Sequence, residues 1–392
     1  MRCAGAAGVG CLESIVREKF AVGNREAPVF LGPMEKLETL TARLRAGEDL
    51  SPPEVREACA VLLDAGASDE GRADLLAALS GKGETAEEIG AFAEEFLAHA
   101  LLPEFDRESL GKPLLDVCGT GGDKLKLFNV STTGVFILAA CGVAVAKHGN
   151  RGITSPSGGA DVLEALGIRI DLPADSVGEC LGEVGAAFLF APLYHPAFKA
   201  VVPVRQLLAK RGQRTVFNLL GPLLNPARPD YQVLGLFDAE RGPAFAEILG
   251  KLGRRRAWAV HGEAGEAGGM DELSTLGPTR VWETVRGTGG TGAPKRVDLL
   301  VEASSLGLAT PSLEQLQGGD AAENASIVEG ILEGTLVGPK RDLAALNAAA
   351  GLVVTGLAAD LAEGLGLAAE ALDSGKGREV LTRWRAYSAA KG

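Results

Sequence analysis

Beyond Pro113 the sequence repeats one texture: a short apolar run, a turn rich in glycine or hydroxyl residues, then a stretch with helical spacing. The runs are Leu114-Leu115-Asp116-Val117, Val143 to Ala146, Phe188-Leu189-Phe190, Gln232 to Phe237, Ala257 to Val260 and Thr279 to Val285. Strands alternating with helices in this way predict a parallel or mixed α/β sheet. From Met34 to about Phe105 the spacing differs. There Val61, Leu62, Leu75, Leu76, Leu79, Phe92 and Phe96 recur at three and four, and Ser51-Pro52-Pro53 and Thr85-Ala86-Glu87-Glu88 are helix-opening signals. That part reads as a small all-helical unit. Gly287 to Lys295 reads as an exposed insertion. Residues 1 to 33 are rich in small residues, lack the apolar stretch of a secretory signal, and are expected to be a disordered or untranslated extension, with translation starting at Met34.

Composition narrows the function classes. Fifty-three of the 392 residues are glycine, about twice the usual ~7%, so many turns can bring backbone close to a ligand. The formal net charge of −12 argues against a broad nucleic-acid or anionic-membrane surface. The longest apolar run, Val135 to Ala146, ends at Lys147 and falls short of the ~20 residues a membrane helix needs. Six cysteines without a C-x-x-C form neither a zinc motif nor an evident disulfide framework, which fits a reducing cytoplasm.

Four polar clusters interrupt the apolar pattern where chemistry would be placed. Gly119-Thr120-Gly121-Gly122-Asp123 follows the first run and can turn successive N–H groups toward a phosphate. Asn129-Val130-Ser131-Thr132-Thr133 precedes the helical run Gly134 to Cys141, where hydroxyls and free N–H groups can share a phosphate or its Mg²⁺. Lys147-His148-Gly149-Asn150-Arg151 closes another run, and Thr154-Ser155-Pro156-Ser157-Gly158-Gly159 opens the helix Val162 to Leu166. Asp271-Glu272 sits after a glycine-rich loop, where adjacent carboxylates can both reach one cation. Taken singly, each has a plain structural explanation: a tight turn, a helix cap, a solvated loop, a surface acid pair. Arg205 alone reads as a helical surface cation, and His195 as a packing or capping residue.

Their order is what carries information. Asp116-Val117-Cys118-Gly119-Thr120-Gly121-Gly122-Asp123, Asn129-Val130-Ser131-Thr132, Lys147-His148-Gly149-Asn150-Arg151, Ser157-Gly158-Gly159-Ala160-Asp161 and Arg214-Thr215-Val216-Phe217-Asn218-Leu219-Leu220-Gly221-Pro222 together resemble the anthranilate phosphoribosyltransferases, from Met34 to the C-terminus. The resemblance implies a nucleoside phosphorylase/phosphoribosyltransferase-like fold, with a helical dimerisation domain (34–105) and a larger α/β catalytic domain (106–392) on a central mixed sheet. A segment near 200–225 would pack on the helical domain, and the protein would be a cytoplasmic homodimer without nucleic-acid or membrane partners. It further implies transfer of the phosphoribosyl group of phosphoribosyl pyrophosphate (PRPP) to the amine of anthranilate, with Mg²⁺, in tryptophan biosynthesis.

Position by position, the resemblance assigns PRPP to Gly119, Gly122, Asp123, Asn129, Val130, Ser131, Thr132, Lys147, His148, Gly149, Asn150, Arg151, Thr154, Ser155 and Gly159. It assigns anthranilate to Gly119, Asn150 and Arg205, and Mg²⁺ to Ser131, Asp271 and Glu272. His148 is expected to position substrate, with no strong general base. The chain departs from the family pattern at Leu127, Pro156 and Gly159, and in a longer Arg205–Gly212 segment. The alternatives are a paralogous phosphoribosyltransferase or pyrimidine nucleoside phosphorylase on the same scaffold, and an inactive nucleic-acid-binding paralogue.

Overall fold

The computed structural model describes residues 32–122, 125–152, 156–287 and 293–391. Asp123, Thr154 and Ser155, the N-terminal extension up to residue 31, and 288–292 of the expected insertion lie outside the described residues. Four helices come first: α1 (Pro33–Arg45), α2 (Pro52–Leu63), α3 (Asp69–Lys82) and α4 (Ala86–Ala98). Local chemistry sets their starts. Pro52 stands at the first position of α2, and at α4 the Glu88 N–H donates to Thr85 Oγ1 at 3.2 Å while the Thr85 N–H donates back to Glu88 Oε2 at 2.9 Å.

After the short α5 (Arg107–Leu110) the alternation begins: β1 (Leu114–Gly119), α6 (Val130–Ala140), β2 (Ala144–Gly149), α7 (Gly159–Ala165), α8 (Val177–Glu183) and β3 (Ala186–Phe190). It continues through α9 (Ala191–Tyr194), α10 (Val202–Lys210), α11 (Phe217–Leu220), β4 (Tyr231–Gly235), α12 (Gly242–Lys251), β5 (Arg256–Glu263), β6 (Gly269–Met270), β7 (Thr279–Val285) and β8 (Lys295–Val301). Four helices finish the chain: α13 (Ala321–Glu333), α14 (Pro339–Thr355), α15 (Leu361–Asp373) and α16 (Lys376–Ala390). Among the described residues no helix is long and apolar enough to cross a membrane.

The sheet is mixed, in the order β3-β2-β1-β4-β5-β7-β8, with β6 also paired to β5. From β3 through β5 the pairs are parallel; β6 and β7 against β5, and β8 against β7, are antiparallel. Parallel central strands need apolar residues on both faces, and β1 and β2 satisfy this with Leu114, Leu115, Val117, Ala144, Val145 and Ala146 all buried. Because these strands run the same way, their carboxyl ends and the loops after them lie along one edge of the sheet, where open α/β sheets place ligands.

The helical unit does not have a core of its own. Leu62, Leu76, Phe92 and Phe96 share one buried cluster with Val201, Val204, Phe217 and Leu220 and with Phe245 and Leu249 of α12. Phe96 meets Phe198 edge-on at 4.9 Å and Phe217 at 5.3 Å, and Arg72 donates to the Ala200 carbonyl at 3.0 Å. The segment around α10 and α11 is thereby fastened to the helical unit, in a cluster that also takes in Leu234 of β4 and Ala257 and Ala259 of β5.

Candidate functional site

A cleft of about 860 Å³ opens at the carboxyl ends of β1 and β2. Three of the polar clusters read from the sequence meet there with the acid pair: Gly119–Gly122, Asn129–Thr132, Lys147–Gly152 with Pro156–Gly159, and Asp271 with Glu272.

Gly121 and Gly122 take positive φ angles of 65° and 96°, which glycine adopts without a Cβ penalty. The Gly121 N–H donates to Asp271 Oδ2 at 2.8 Å, and Thr120 is anchored by its own N–H to the Gly235 carbonyl at 2.9 Å. Across the cleft, α6 starts earlier than the apolar spacing indicates: Ser131, Thr132 and Thr133 are inside its first turn, behind Asn129 as N-cap. Those hydroxyls are helical residues rather than caps. The Ser131 N–H, one of the donors that a helix start leaves free, points at Glu272 Oε1 at 3.2 Å.

Lys147 and His148 belong to β2 itself, so their side chains leave opposite faces of the sheet. Lys147 Nζ donates to the Val117 carbonyl at 2.6 Å and to Ser131 Oγ at 3.1 Å. A buried cation is thus held beneath Ser131, the residue whose N–H faces Glu272. His148 is buried against His195, ring centroids 5.2 Å apart, and its Nε2 has no partner among the described residues. Burial, with the neighbouring His195 adding to it, pushes the His148 pKa down to about 3, so the ring is neutral. His195 Nε2 is bonded to the Leu224 carbonyl at 2.9 Å, a structural tie.

The turn after β2 is closed by Asp161, whose Oδ2 accepts from the Gly152 and Gly158 N–H groups at 2.8 Å each. Arg151 reaches Glu164 and Asp161 on α7, so its charge is already committed at the rim. Asn150 Oδ1 accepts the Arg151 N–H at 2.8 Å.

Asp271 and Glu272 follow β6, and two strand ends make room for them. A Cβ on Gly235 would stand 1.6 Å from the Asp271 carbonyl oxygen, and one on Gly119 would stand 2.1 Å from Asp271 Oδ2. At Gly235 the obstacle is main chain, so only glycine lets the acid loop reach the cleft, whereas at Gly119 a side chain would turn the Asp271 carboxylate aside. The two carboxylates and the Ser131 hydroxyl are all hard oxygen donors, and among the described residues no cluster of three or more His, Cys, Asp or Glu could cage a metal by itself. Such a set fits Mg²⁺, which keeps waters and shares itself with substrate phosphates, and does not fit zinc.

Among the described residues, Arg205 is the sequence-derived site residue that the cleft lining lacks. It lies on α10, with its guanidinium carbon 5.6 Å from the centre of the Phe217 ring, and no carboxylate among the described residues pairs with it. Burial lowers its pKa from the ordinary arginine range. A second cavity of about 310 Å³ opens from Thr120–Gly122 toward Arg214, Arg241 and Glu84 of the helical unit, and Arg205 does not line that either.

Sequence reasoning missed Asn324 and Gly319, which close the far side of the cleft. It also missed the buried layer behind Lys147. Asp116 is fully buried, burial raises its carboxyl pKa, and its Oδ2 has no partner among the described residues. Arg254 Nε donates to Gln232 Oε1 at 2.9 Å, Gln232 Nε2 donates to the Pro222 carbonyl at 2.7 Å, and burial pushes Arg254 down to about 10. Ionisable and amide side chains inside the apolar runs were the available signal.

The chain thus joins a helical bundle to an α/β domain, with a phosphate-suited cleft at the strand ends. The family models agree: the glycosyl transferase family helical bundle domain matches residues 38–100, and its a/b domain matches 111–378. Among relatives, the anthranilate phosphoribosyltransferase of Anaeromyxobacter dehalogenans (strain 2CP-C) is 46% identical over 341 residues, covering 87% of this chain and 95% of its own. That of Mesorhizobium japonicum is 42% identical over 350 residues, covering 89% and 98%. Among solved structures, the enzyme of Thermus thermophilus aligns with a TM-score of 0.78 at 41% identity, covering 89% of this chain and 99% of its own. The Saccharomyces cerevisiae enzyme in complex with PRPP and Mg aligns at 0.79 and 26% identity, covering 90% and 98%. The chain belongs to the anthranilate phosphoribosyltransferase family.

Proposed function

We propose that this protein transfers the phosphoribosyl group of PRPP to the amine of anthranilate, giving N-(5-phosphoribosyl)anthranilate and pyrophosphate, a step of tryptophan biosynthesis. The observation that carries the reading is the meeting of four sequence-distant groups in one cleft: the glycine loop, the first turn of α6, Lys147 and the Asp271–Glu272 pair. The reaction breaks the bond from ribose C1 to pyrophosphate oxygen and forms one from C1 to nitrogen. Negative charge therefore grows on the leaving group. Lys147 is a fixed cation beside that charge, and the N–H groups of Gly121 and Ser131, which hold Asp271 and Glu272 here, become donors to it when those carboxylates turn to Mg²⁺. Asp271, Glu272 and Ser131 would hold Mg²⁺, which when bound supplies further neutralisation of the pyrophosphate.

Asn129, Val130, Thr132, His148, Gly149, Asn150, Arg151 and Gly159, with Asp123, Thr154 and Ser155, complete the PRPP contacts in this reading. Gly119, Asn150 and Arg205 receive anthranilate, Arg205 matching the carboxylate with its planar fork. Since α10 packs on the helical unit, that assignment requires the helical unit to close toward the cleft. An aromatic amine is unprotonated near neutral pH and attacks as it stands; the acidic anilinium formed on bonding to C1 gives its extra proton to water or to the departing pyrophosphate, so no strong general base is assigned, and neutral His148 positions substrate. The domains divide at about residue 105, and the enzyme acts as a cytoplasmic homodimer through its helical unit.

The test is the loss of anthranilate fluorescence on mixing protein with PRPP and Mg²⁺, against controls without PRPP and with Mg²⁺ chelated. Decay that requires both supports the reading. No decay, or phosphorolysis of uridine or thymidine instead, overturns it in favour of a paralogous activity.

A further inference from the structure

The segment Leu316–Gly319 lies along 125–128 at the rim of the cleft: the Phe128 N–H donates to the Leu316 carbonyl at 3.2 Å and the Gly318 N–H to the Lys126 carbonyl at 2.9 Å. Its last residue, Gly319, is bonded to Asn324, which is 2% exposed in the first turns of α13. A Cβ on Gly318 would stand 2.1 Å from Asn324 Oδ1 and 2.7 Å from Phe128 Cα, so glycine there is what permits the approach.

An amide side chain has nearly isosteric ends, and only its partners decide which end is oxygen. For Asn324 the decision comes from the backbone. The Gly319 N–H can only donate, and it donates to Asn324 Oδ1 at 2.9 Å. Asn324 Nδ2 is thereby turned the other way, where it donates to Asn129 Oδ1 at 2.8 Å. That contact in turn fixes Asn129: its oxygen is spent on Asn324, and its Nδ2 is left for the cleft, with one long bond to the Ser157 carbonyl at 3.4 Å. The relay runs from a backbone N–H through two amides to a donor facing the substrate space.

We propose that Asn324 is a positioning residue that acts through Asn129, holding the Asn129 amide with its N–H₂ toward the anionic substrate. The inference rests on the PRPP reading of the cleft. With Asn129 reversed, an acceptor oxygen would face phosphate or ribose hydroxyl oxygens and one charge-assisted hydrogen bond would be lost.

The test is a double-mutant cycle read by calorimetric PRPP binding in the presence of Mg²⁺, together with KM and kcat. Asn324→Asp keeps an acceptor for the Gly319 N–H but offers Asn129 only acceptors, so Asn129 must turn its donor away from the cleft. The expected result is PRPP affinity weaker by roughly 10- to 100-fold, the scale of one hydrogen bond to a charged group, with kcat changed much less. In an Asn129→Ala background the same substitution should add less than about twofold, because the group it acts through is gone. An equal loss in both backgrounds would mean that the new charge or a general distortion is responsible, and would overturn the proposal. Asn324→Ala, compared in the same two backgrounds, replaces it if the aspartate variant does not melt cooperatively. Wild-type binding with an unchanged Asn324→Asp affinity sinks this inference alone, whereas no PRPP binding by the wild type removes the functional reading and the inference with it.

Discussion

Gly235→Ala is a one-methyl test of how the acid loop reaches the cleft. Gly235 ends β4, paired with Gly119 of β1 on one side and Val260 of β5 on the other. Its φ is outside the left-handed region, so alanine meets no backbone strain of its own. The added Cβ would instead stand 1.6 Å from the Asp271 carbonyl oxygen and 2.3 Å from the carbonyl carbon. Main chain has no rotamer to yield, so Asp271 must withdraw by roughly 1.5–2 Å to restore contact near 3.5 Å. The bond from the Gly121 N–H to Asp271 Oδ2 is then lost, and Glu272 moves with its neighbour. Overpacking of this kind costs about 1–3 kcal/mol, a fall of a few degrees in melting temperature. A catalytic group displaced by about 1 Å can cost about 100-fold in rate. The variant should therefore stay folded at assay temperature, lose about 100-fold in the anthranilate fluorescence assay, and need more Mg²⁺ for half-maximal rate. Activity within about threefold of wild type, at the wild-type Mg²⁺ requirement, would refute the steric argument.

Replacing Asp271 and Glu272 together by alanine should abolish turnover across a Mg²⁺ titration while PRPP-independent stability is kept; undiminished activity would remove them from the site. Arg205→Ala should raise the KM for anthranilate by at least about 10-fold, as loss of a charge-assisted bond predicts, with little change for PRPP, and equal losses for both substrates would contradict its role. The histidine pair predicts a pH dependence of stability. His148 stays neutral in the fold down to about pH 3 from an ordinary value of 6.5, and His195 is shifted the same way, both by burial. The unfolded chain thus binds more protons below about pH 6.5, and stability declines as pH falls from there, by up to about 1.4 kcal/mol per pH unit for each histidine. Urea midpoints between pH 7.5 and 5.5 should fall less steeply for His148→Gln than for wild type, and parallel curves would show that the ring is not held neutral.

What the sequence revealed and what it hid divide along physical lines. Gly119–Gly122, Ser131, Lys147 and Asn150 were legible because each sits beside an apolar run in a local pattern that a strand end or helix start imposes. The capping pair at Thr85 and Glu88 was legible for the same reason. Helix limits were less so: α6 takes in Ser131 to Thr133, and the Ser131 N–H in its first turn finds Glu272, a partner far along the chain. Gly235 and Gly318 look like any other glycine in a chain with 53 of them, and only the approach of Asp271 and Asn324 gives them meaning. Arg205 shows the reverse limit. Its residue type suits a carboxylate, yet its direction depends on α10 being fastened to the helical unit, which no spacing encodes.

The bond between Gly121 and Asp271 spans 150 positions of sequence, and that between Asn129 and Asn324 spans 195. Such contacts form only after the loops between them have closed, and they come late because loop-closure entropy opposes them. The cleft lining runs from Cys118 to Asn324, so no short fragment of the chain carries it whole. Affinity for PRPP and completion of the sheet are consequently one event, so substrate binds the finished fold and not its precursors, and each increment of bound substrate is an increment of folding stability. The cleft works as its own inspection of assembly: a molecule that holds pyrophosphate has necessarily brought β1, α6, β6 and α13 into register.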